Sequence, residues 1–290
     1  MANAITLPTA IQTILDDVYK EASVTSVLNS SPASLKPTSN AKEFCYPQIE
    51  VGGLGDYDRN SGYTANSGVK LDWVTVAADY DRGTKIMVDV MDNQESFDLA
   101  FGQAANALLR NHVAPEADAW TFAKICAVES ITSDTATITG GEQFLEALLT
   151  ATTKMDEDEV PEEQRVLFVT PTLLKSVKAL DTTKSREALD GFSSIVKVPQ
   201  SRFYTAVDLL DGRSEDEIAG GWKPATGAKP INFLIAHTPA VIKYDRHVAG
   251  PTVISADANP DADADIVKYR KYGVLDVYKN KRAGIYVSHQ

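Results

Sequence analysis

The chain has 290 residues, with 28 Lys and Arg against 40 Asp and Glu and a formal net charge of −12. A hydrophobic fraction of 43% and a charged fraction of 23% exclude a disordered chain, and 17 Gly with 13 Pro exclude a collagen-like or low-complexity one. The acid excess argues against a protein whose main task is gripping nucleic acid, because phosphate binding needs clustered Lys and Arg.

The elements follow in chain order. Met1–Pro8 lacks the basic and continuous apolar regions of a secretory signal, so the expected compartment of synthesis is the cytoplasm. Ile11, Ile14, Leu15 and Val18 recur at helical spacing, on a helix too short to support itself in water. Residues 29–40 are polar, with two prolines, and read as an extended arm or linker. Residues 43–91 are β-rich. Phe44–Val51 forms one strand, Val69, Leu71 and Trp73 alternate with Lys70 and Asp72, and Ile86, Val88 and Val90 alternate again. Between the first two runs, five glycines with Asn, Asp and Ser make a long flexible tip. A two-stranded arm of this kind is marginal alone and is expected to rest on another surface.

Residues 95–128 carry the strongest helical signal. The stripe Phe97, Phe101, Ala104, Leu108, Ala119, Phe122 and Cys126 keeps its phase across Pro115, which predicts one long helix kinked near 111–115. Unbroken, it would span roughly 50 Å, a structural spine. A mixed α/β unit follows: a short helix on Phe144–Leu149, a buried strand on Arg165–Thr170, a helix started by Pro171, and strands at 195–198 and 231–236. Asp211–Lys229 reads as an exposed loop. Strands return at 241–244, 266–278 and 285–287. No run approaches the roughly 18 apolar residues of a membrane helix.

The search for chemistry finds little. The four histidines form no His-Glu-x-x-His, and no nucleophile elbow or P-loop is present. Gly53-Leu54-Gly55 lacks the later glycine of a dinucleotide site. Asp261, Asp263 and Asp265 alternate like the opening of a calcium loop, but Ile266 stands where the glycine belongs and Tyr272 where the bidentate glutamate belongs, so the stretch reads as a solvated turn. Asp156–Glu159 with Glu162 and Glu163 reads first as a solvated loop, with a metal cluster or an acidic contact patch as the alternatives. The basic residues 268, 270, 271, 279, 281 and 282 read as a salt-bridging surface, with a phosphate contact as the alternative. His112 reads as a packed or surface side chain. Cys126 lies on the apolar stripe as a small buried hydrophobe, and with Cys45 it makes neither a disulfide framework nor a Cys-x-x-Cys zinc site. No catalytic, cofactor-binding or metal residue is assigned.

The order of elements, with four stretches of local sequence, carries a resemblance. The stretches are Gly53-Leu54-Gly55-Asp56-Tyr57 with Arg59-Asn60 and Gly62-Tyr63; Asp81-Arg82-Gly83 followed by Val88–Asp92; Val113–Glu116 followed by Asp118-Ala119; and Val160–Glu163 followed by Arg165 and Val169–Pro171. With them the chain resembles the major capsid proteins of tailed bacteriophages, of the α+β Hong Kong 97-like fold. That resemblance implies an N-terminal arm at 1–42, an E-loop (the extended β-arm) at 43–92, a P-domain spine helix at 93–130, a mixed α/β A-domain at 131–240 and P-domain C-terminal strands at 241–290. It implies that the E-loop tip, with Gly53, Leu54, Gly55, Tyr57, Arg59 and Tyr63, touches a neighbouring subunit. Some members carry a Lys–Asn cross-link; Lys70 and Lys85 lie in the arm, and neither is assigned to one.

The implied function is a coat protein, not an enzyme, without cofactors. It would assemble with itself into the hexamers and pentamers of an icosahedral head shell that encloses double-stranded DNA without sequence-specific binding. Portal and scaffolding proteins are the further partners, with decoration proteins as another candidate and no membrane. With only about 40 residues before the β-arm, scaffolding would be a separate protein. The implied location is the virion capsid, and the host cytoplasm during assembly. The rival of the same fold is an encapsulin-type nanocompartment shell protein. From other classes, the rivals are an α/β ligand-binding protein or hydrolase, and a surface adhesin.

Overall fold

The computed structural model describes residues 23–30, 35–38, 42–63, 68–91 and 107–290. The predicted helix on Ile11–Val18, the part of the predicted long helix before residue 107, and residues 31–34 and 39–40 of the polar stretch lie outside the described residues.

Strands β1 (Lys36–Pro37), β2 (Glu43–Val51) and β3 (Val69–Ala77) form an antiparallel ribbon in that order. The β2–β3 register runs from Glu43 opposite Ala77 to Val51 opposite Val69 with no shift. β4 (Tyr80–Asp89) leaves this ribbon for another sheet.

Among the described residues the chain is helical from residue 107 to Cys126. Leu109–Val113 form a π turn in which the Ala114 N–H donates to Leu109 O, and α1 (Ala114–Cys126) continues from it unbroken. Pro115 accounts for the wide turn, since it has no N–H to give the preceding turn and its ring crowds that turn. The kink expected at 111–115 takes this form. The wider turn also moves the apolar position, so that Leu109 is buried and Leu108 only half-buried. The expected one-sided stripe is replaced by burial on nearly every side of α1, including Glu116 and Asp118.

The remaining elements are β5 (Thr132–Thr135), α2 (Gly141–Glu157), β6 (Arg165–Val169), α3 (Pro171–Leu180), α4 (Thr183–Asp190), β7 (Ser194–Lys197), β8 (Val207–Leu209), β9 (Trp222–Pro224), β10 (Ile231–His237), β11 (Val241–Ile254), β12 (Ala264–Val277) and β13 (Ile285–His289). Five of them make a mixed sheet in the order β5-β13-β10-β6-β7. Its central strands are continuous apolar runs because both faces are covered. Val166, Phe168 and Leu234 pack with Phe122 and Ile125 of α1 on one side. Leu167, Val169, Phe233 and Ile235 pack with α2 and α3 through Phe144, Leu148, Leu174 and Val177 on the other. Phe122 meets Phe168 and Phe203 edge-on at 5.3 and 4.7 Å.

The second sheet has the order β11-β12-β4. Three sequence expectations change here. β4, grouped by the sequence with the arm, pairs with β12 along its whole length. The strands of 241–290 divide between two sheets, for β13 lies between β10 and β5 while β11 and β12 pair with each other. The predicted loop 211–229 contains β9, paired with β8.

Candidate interaction surface

The arm has two apolar faces on opposite sides of one ribbon. Near its root, Phe44 and Tyr46 on β2 stand opposite Val76 and Val74 on β3, and this face packs on Ile242, Tyr244, Tyr272 and Val274 of the second sheet. Two residues further out the parity of the pattern reverses. Pro47 pairs with Trp73, Ile49 with Leu71, and Val51 with Val69. Because side chains alternate between faces, these six point away from the side that the root buries. Trp73 is 48% exposed, Leu71 52%, Ile49 56% and Val69 and Val51 each 70%. The side facing with the root is polar beyond Tyr46, carrying Gln48, Asp72, Glu50 and Lys70, with Lys70 bound to Asp72 at 2.6 Å. The outer apolar face therefore cannot fold onto the body by the route the root uses.

The root is fixed by polar contacts as well. The Tyr46 hydroxyl donates to Asp276 Oδ2 at 3.0 Å, and its ring meets Tyr278 edge-on at 5.0 Å. Burial, with the Asp276 charge beside it, raises the Tyr46 pKa well above the usual phenol value. Beside the root, Arg270 grips Asp81 with two hydrogen bonds of 2.9 and 2.8 Å, and Lys42 approaches the same carboxylate at 2.9 Å. Hydrogen bonding from Arg270 holds the Asp81 carboxyl down at about 2. Gly83, opposite Arg270, leaves the space for this; a Cβ there would lie 3.3 Å from Arg270 Cβ.

Gly53, Leu54, Gly55, Tyr57, Arg59 and Tyr63 all stand exposed at the arm's tip. The tip is more ordered than a loose loop. Asp58 and Gly62 exchange backbone hydrogen bonds of 3.0 and 2.7 Å, and the rings of Tyr57 and Tyr63 meet edge-on at 4.9 Å. Gly62 has φ +79°, a conformation that L side chains rarely adopt. Backbone N–H groups of Asn60 and Ser61 bind the Asp58 carboxylate and lower its pKa.

A second constellation, absent from the sequence reading, ties the segment before β1 to the body. Asp118 is fully buried on α1. It accepts from Ser23 Oγ (2.8 Å), the backbone N–H of Val24 and Thr25 (both 3.1 Å), Thr25 Oγ1 (2.7 Å) and the Arg202 guanidinium (2.9 Å). Lys243 Nζ donates to Thr25 O and Oγ1 at 3.1 and 2.7 Å. Asp245 lies between Lys243 and Lys271, at 3.5 and 3.1 Å. Burial lowers the Lys271 pKa to about 8, with the attraction of Asp245 unable to offset it. Burial would raise Asp245, but the two ammonium groups outweigh it and hold it below the usual range. Glu116, one turn before Trp120, binds Arg82 at 2.7 and 3.2 Å and the Tyr80 hydroxyl at 3.2 Å, and Arg82 also donates to Leu210 O and Gly221 O. The sequence signal was available: Glu116 and Asp118 stand among Ala117, Ala119 and Trp120, small or apolar neighbours with no room for a solvated face.

The other singled-out residues do not converge on a chemistry. Asp265 accepts from the Ala256 N–H and Asn259 from the Asp261 N–H, so the acidic turn is closed by its own hydrogen bonds. Among the described residues, no three His, Cys, Asp or Glu side chains gather as metal ligands. Burial pushes the Cys126 thiol up to about 12, which removes it as a nucleophile at neutral pH. His112 lines a cleft of about 550 Å³ beside Arg82, Glu116 and Arg213. There, Arg82 and Glu116 are spent on each other. Asp156 receives the buried Arg165 guanidinium at 2.7 Å, so the acidic run anchors a cation as well as meeting solvent. The basic residues divide: Lys271 is buried, Arg270 binds Asp81, and Lys281 reaches Pro239 O and the Tyr278 ring.

No protein-family model matches the chain, and no characterised protein matches it by sequence. Solved structures do. The capsid of the cyanophage P-SCSP1u matches with a TM-score of 0.57 at 13% identity, over 92% of this chain and 88% of that one. A chain of Mycobacterium phage Che8 matches with a TM-score of 0.55 at 13% identity, over 92% and 90%. A virus-like particle from Pyrococcus furiosus matches with a TM-score of 0.54 at 13% identity, over 98% and 100%. With its mixed helix and strand content and these structural neighbours, the chain has the α+β Hong Kong 97-like capsid fold.

Proposed function

We propose that the chain is a major capsid protein that assembles with itself into the icosahedral head shell of a tailed phage, around double-stranded DNA. The observation that carries this reading is the reversed face of the arm. An apolar ribbon face that the chain directs away from its own body is stable in water only when another molecule covers it. Two projections per subunit, each resting on a different neighbour, make head-to-tail contacts that close into rings and shells. In this reading residues 1–42 are the N-terminal arm, 43–92 the E-loop with β4 given over to the P-domain sheet, 93–130 the spine helix, 131–240 the A-domain joined by β13, and the rest of 241–290 the P-domain strands. The tip residues Gly53, Leu54, Gly55, Tyr57, Arg59 and Tyr63 contact the adjacent subunit. Portal and scaffolding proteins, and decoration proteins on the outer surface, complete the particle in the host cytoplasm.

The protein expressed alone and viewed by negative-stain microscopy tests this. Closed shells or capsomer rings are expected, and deletion of residues 52–68 is expected to leave a soluble subunit that forms neither. A wild-type protein that stays monomeric at high concentration, or normal particles from the deletion, would remove the proposal. Particles from the native source that hold an enzyme in place of DNA would assign the chain to a nanocompartment.

A further inference from the structure

β4 and β12 place Lys85 and Lys268 directly opposite each other, on the face of the second sheet that turns away from α1. Both are exposed, and among the described residues neither side chain makes an ion pair or a hydrogen bond. Like charges directly opposite across a ladder destabilise it. Among the described residues nothing beside them relieves the repulsion: across from Lys268 on its other flank is Thr252, and the neighbours of Lys85 on the same face are Gly83 and Met87. The nearest carboxylate toward the arm's root, Asp81, is already shared by Lys42 and Arg270. This strip thus holds four cations against one carboxylate, in a chain of net charge −12.

Lys70 binds Asp72, Lys124 binds Asp79 and Lys154 binds Asp158, and Lys175, Lys178, Lys184 and Lys197 stand exposed without an ion pair among the described residues, but none of these faces another lysine across a ladder. A chain with 40 acidic residues that leaves one cross-strand pair of lysines uncompensated is keeping those charges for a partner. We propose that the Lys85–Lys268 strip is a docking surface for carboxylates of a second copy of this chain.

Charge complementarity selects that occupant. Each copy is itself strongly acidic and presents exposed, unengaged carboxylates, among them Glu157, Glu159, Glu162 and Glu163 around the turn after α2. A nucleic acid needs a longer run of cations, and here Met87 and then Asp89 end the strip. The inference rests on the self-assembly reading above and adds the surface and the chemistry by which one copy recognises another.

The test compares the full-length wild type with K85Q/K268Q and K85E/K268E. Thermal unfolding of the unassembled K85Q/K268Q subunit should be unchanged or raised, because a repulsion has been removed, and that of K85E/K268E should stay close to wild type, because one like-charge pair replaces another. Assembly, followed by light scattering and sedimentation, should show a critical concentration raised about tenfold or more in the K85E/K268E protein. The neutral variant should fall between, and the gap to wild type should narrow as NaCl is added. Wild-type shells accompanied by equal assembly of both variants would overturn this inference and leave the self-assembly reading intact. So would variants that assemble normally but lose retention of a DNA duplex, which would assign the strip to nucleic acid. A wild type that does not assemble would remove both.

Discussion

The hydroxyl of Thr25 donates to Asp118 Oδ1 and accepts from Lys243 Nζ, at 2.7 Å in each case, so one side chain joins the segment before β1 to α1 and to β11. A buried carboxylate tolerates the loss of water only when its acceptor sites are filled, and here the donors come from Ser23, Val24, Thr25 and Arg202. Thr25→Val keeps the shape and removes both hydroxyl contacts, and should cost about 1–3 kcal/mol. Asp118→Ala strands Arg202 and the backbone donors together and should cost more, about 3–5 kcal/mol. Urea unfolding at unchanged m-value measures both, and limited proteolysis should cut the variants ahead of Lys36 sooner than the wild type. A Thr25→Val protein as stable as wild type would show that the segment is held by other contacts.

The two faces of the arm should separate stability from assembly. Phe44, buried at the root against Tyr244 and Tyr272, supports the subunit, and Phe44→Ala should cost about 3–5 kcal/mol. Leu71 and Trp73 are half-exposed on the other face. Replacing both by Ser should move the subunit's unfolding by no more than about 1 kcal/mol, the sum of two surface changes, while abolishing light-scattering growth on assembly. Loss of subunit stability in the second variant would mean that the outer face already has a partner within the chain.

Much of this was legible in the sequence. The parity reversal can be read from the letters, since apolar residues fall on even numbers at Phe44 and Tyr46 and on odd numbers at Ile49 and Val51. The central strands of the mixed sheet announced themselves as unbroken apolar runs, and Pro115 marked the irregular turn. What could not be read was pairing between distant segments. Alternation puts Lys271 in phase with Val267, Tyr269 and Leu275 on β12, but nothing in either segment shows that Asp245 and Thr25 meet Lys271 and Lys243 in the interior. The same limit hid the placement of β4 beside β12 and of β13 between β5 and β10, because strand partnership depends on how the chain is brought back. The opposition of Lys85 and Lys268 is likewise a product of register.

Acid should loosen the arm's root through Asp81. Its folded pKa is about 2, depressed by Arg270 and Lys42 below the ordinary carboxylate value near 4. A depressed carboxyl contributes stability that is fully present above the unfolded pKa and is lost as pH falls from about 4 toward about 2. The wild type should therefore lose Tm more steeply over that window than Asp81→Asn, and the two curves should run parallel above about pH 5. Identical slopes in acid would show that the Asp81–Arg270 contact is absent in solution.

Close approach of α2 to α3 should make Gly141 irreplaceable. A Cβ at this position would stand 2.5 Å from Ser176 O and 2.8 Å from its carbonyl carbon, both backbone atoms of α3 that cannot swing aside. Alanine is the better helix former by about 1 kcal/mol, which opposes the clash, but relief requires the two helices to separate over the core formed by Phe144, Leu174 and Val177. Overpacking of this kind costs about 1–3 kcal/mol, so Gly141→Ala should be destabilising on balance. Gly191→Ala is the control: its φ is −69° with open space around the Cβ position, and the substitution should be neutral or stabilise by up to about 1 kcal/mol. Thermal unfolding of the two variants decides the matter, and a Gly141→Ala protein at or above the wild-type Tm would mean that α2 and α3 are free to move apart.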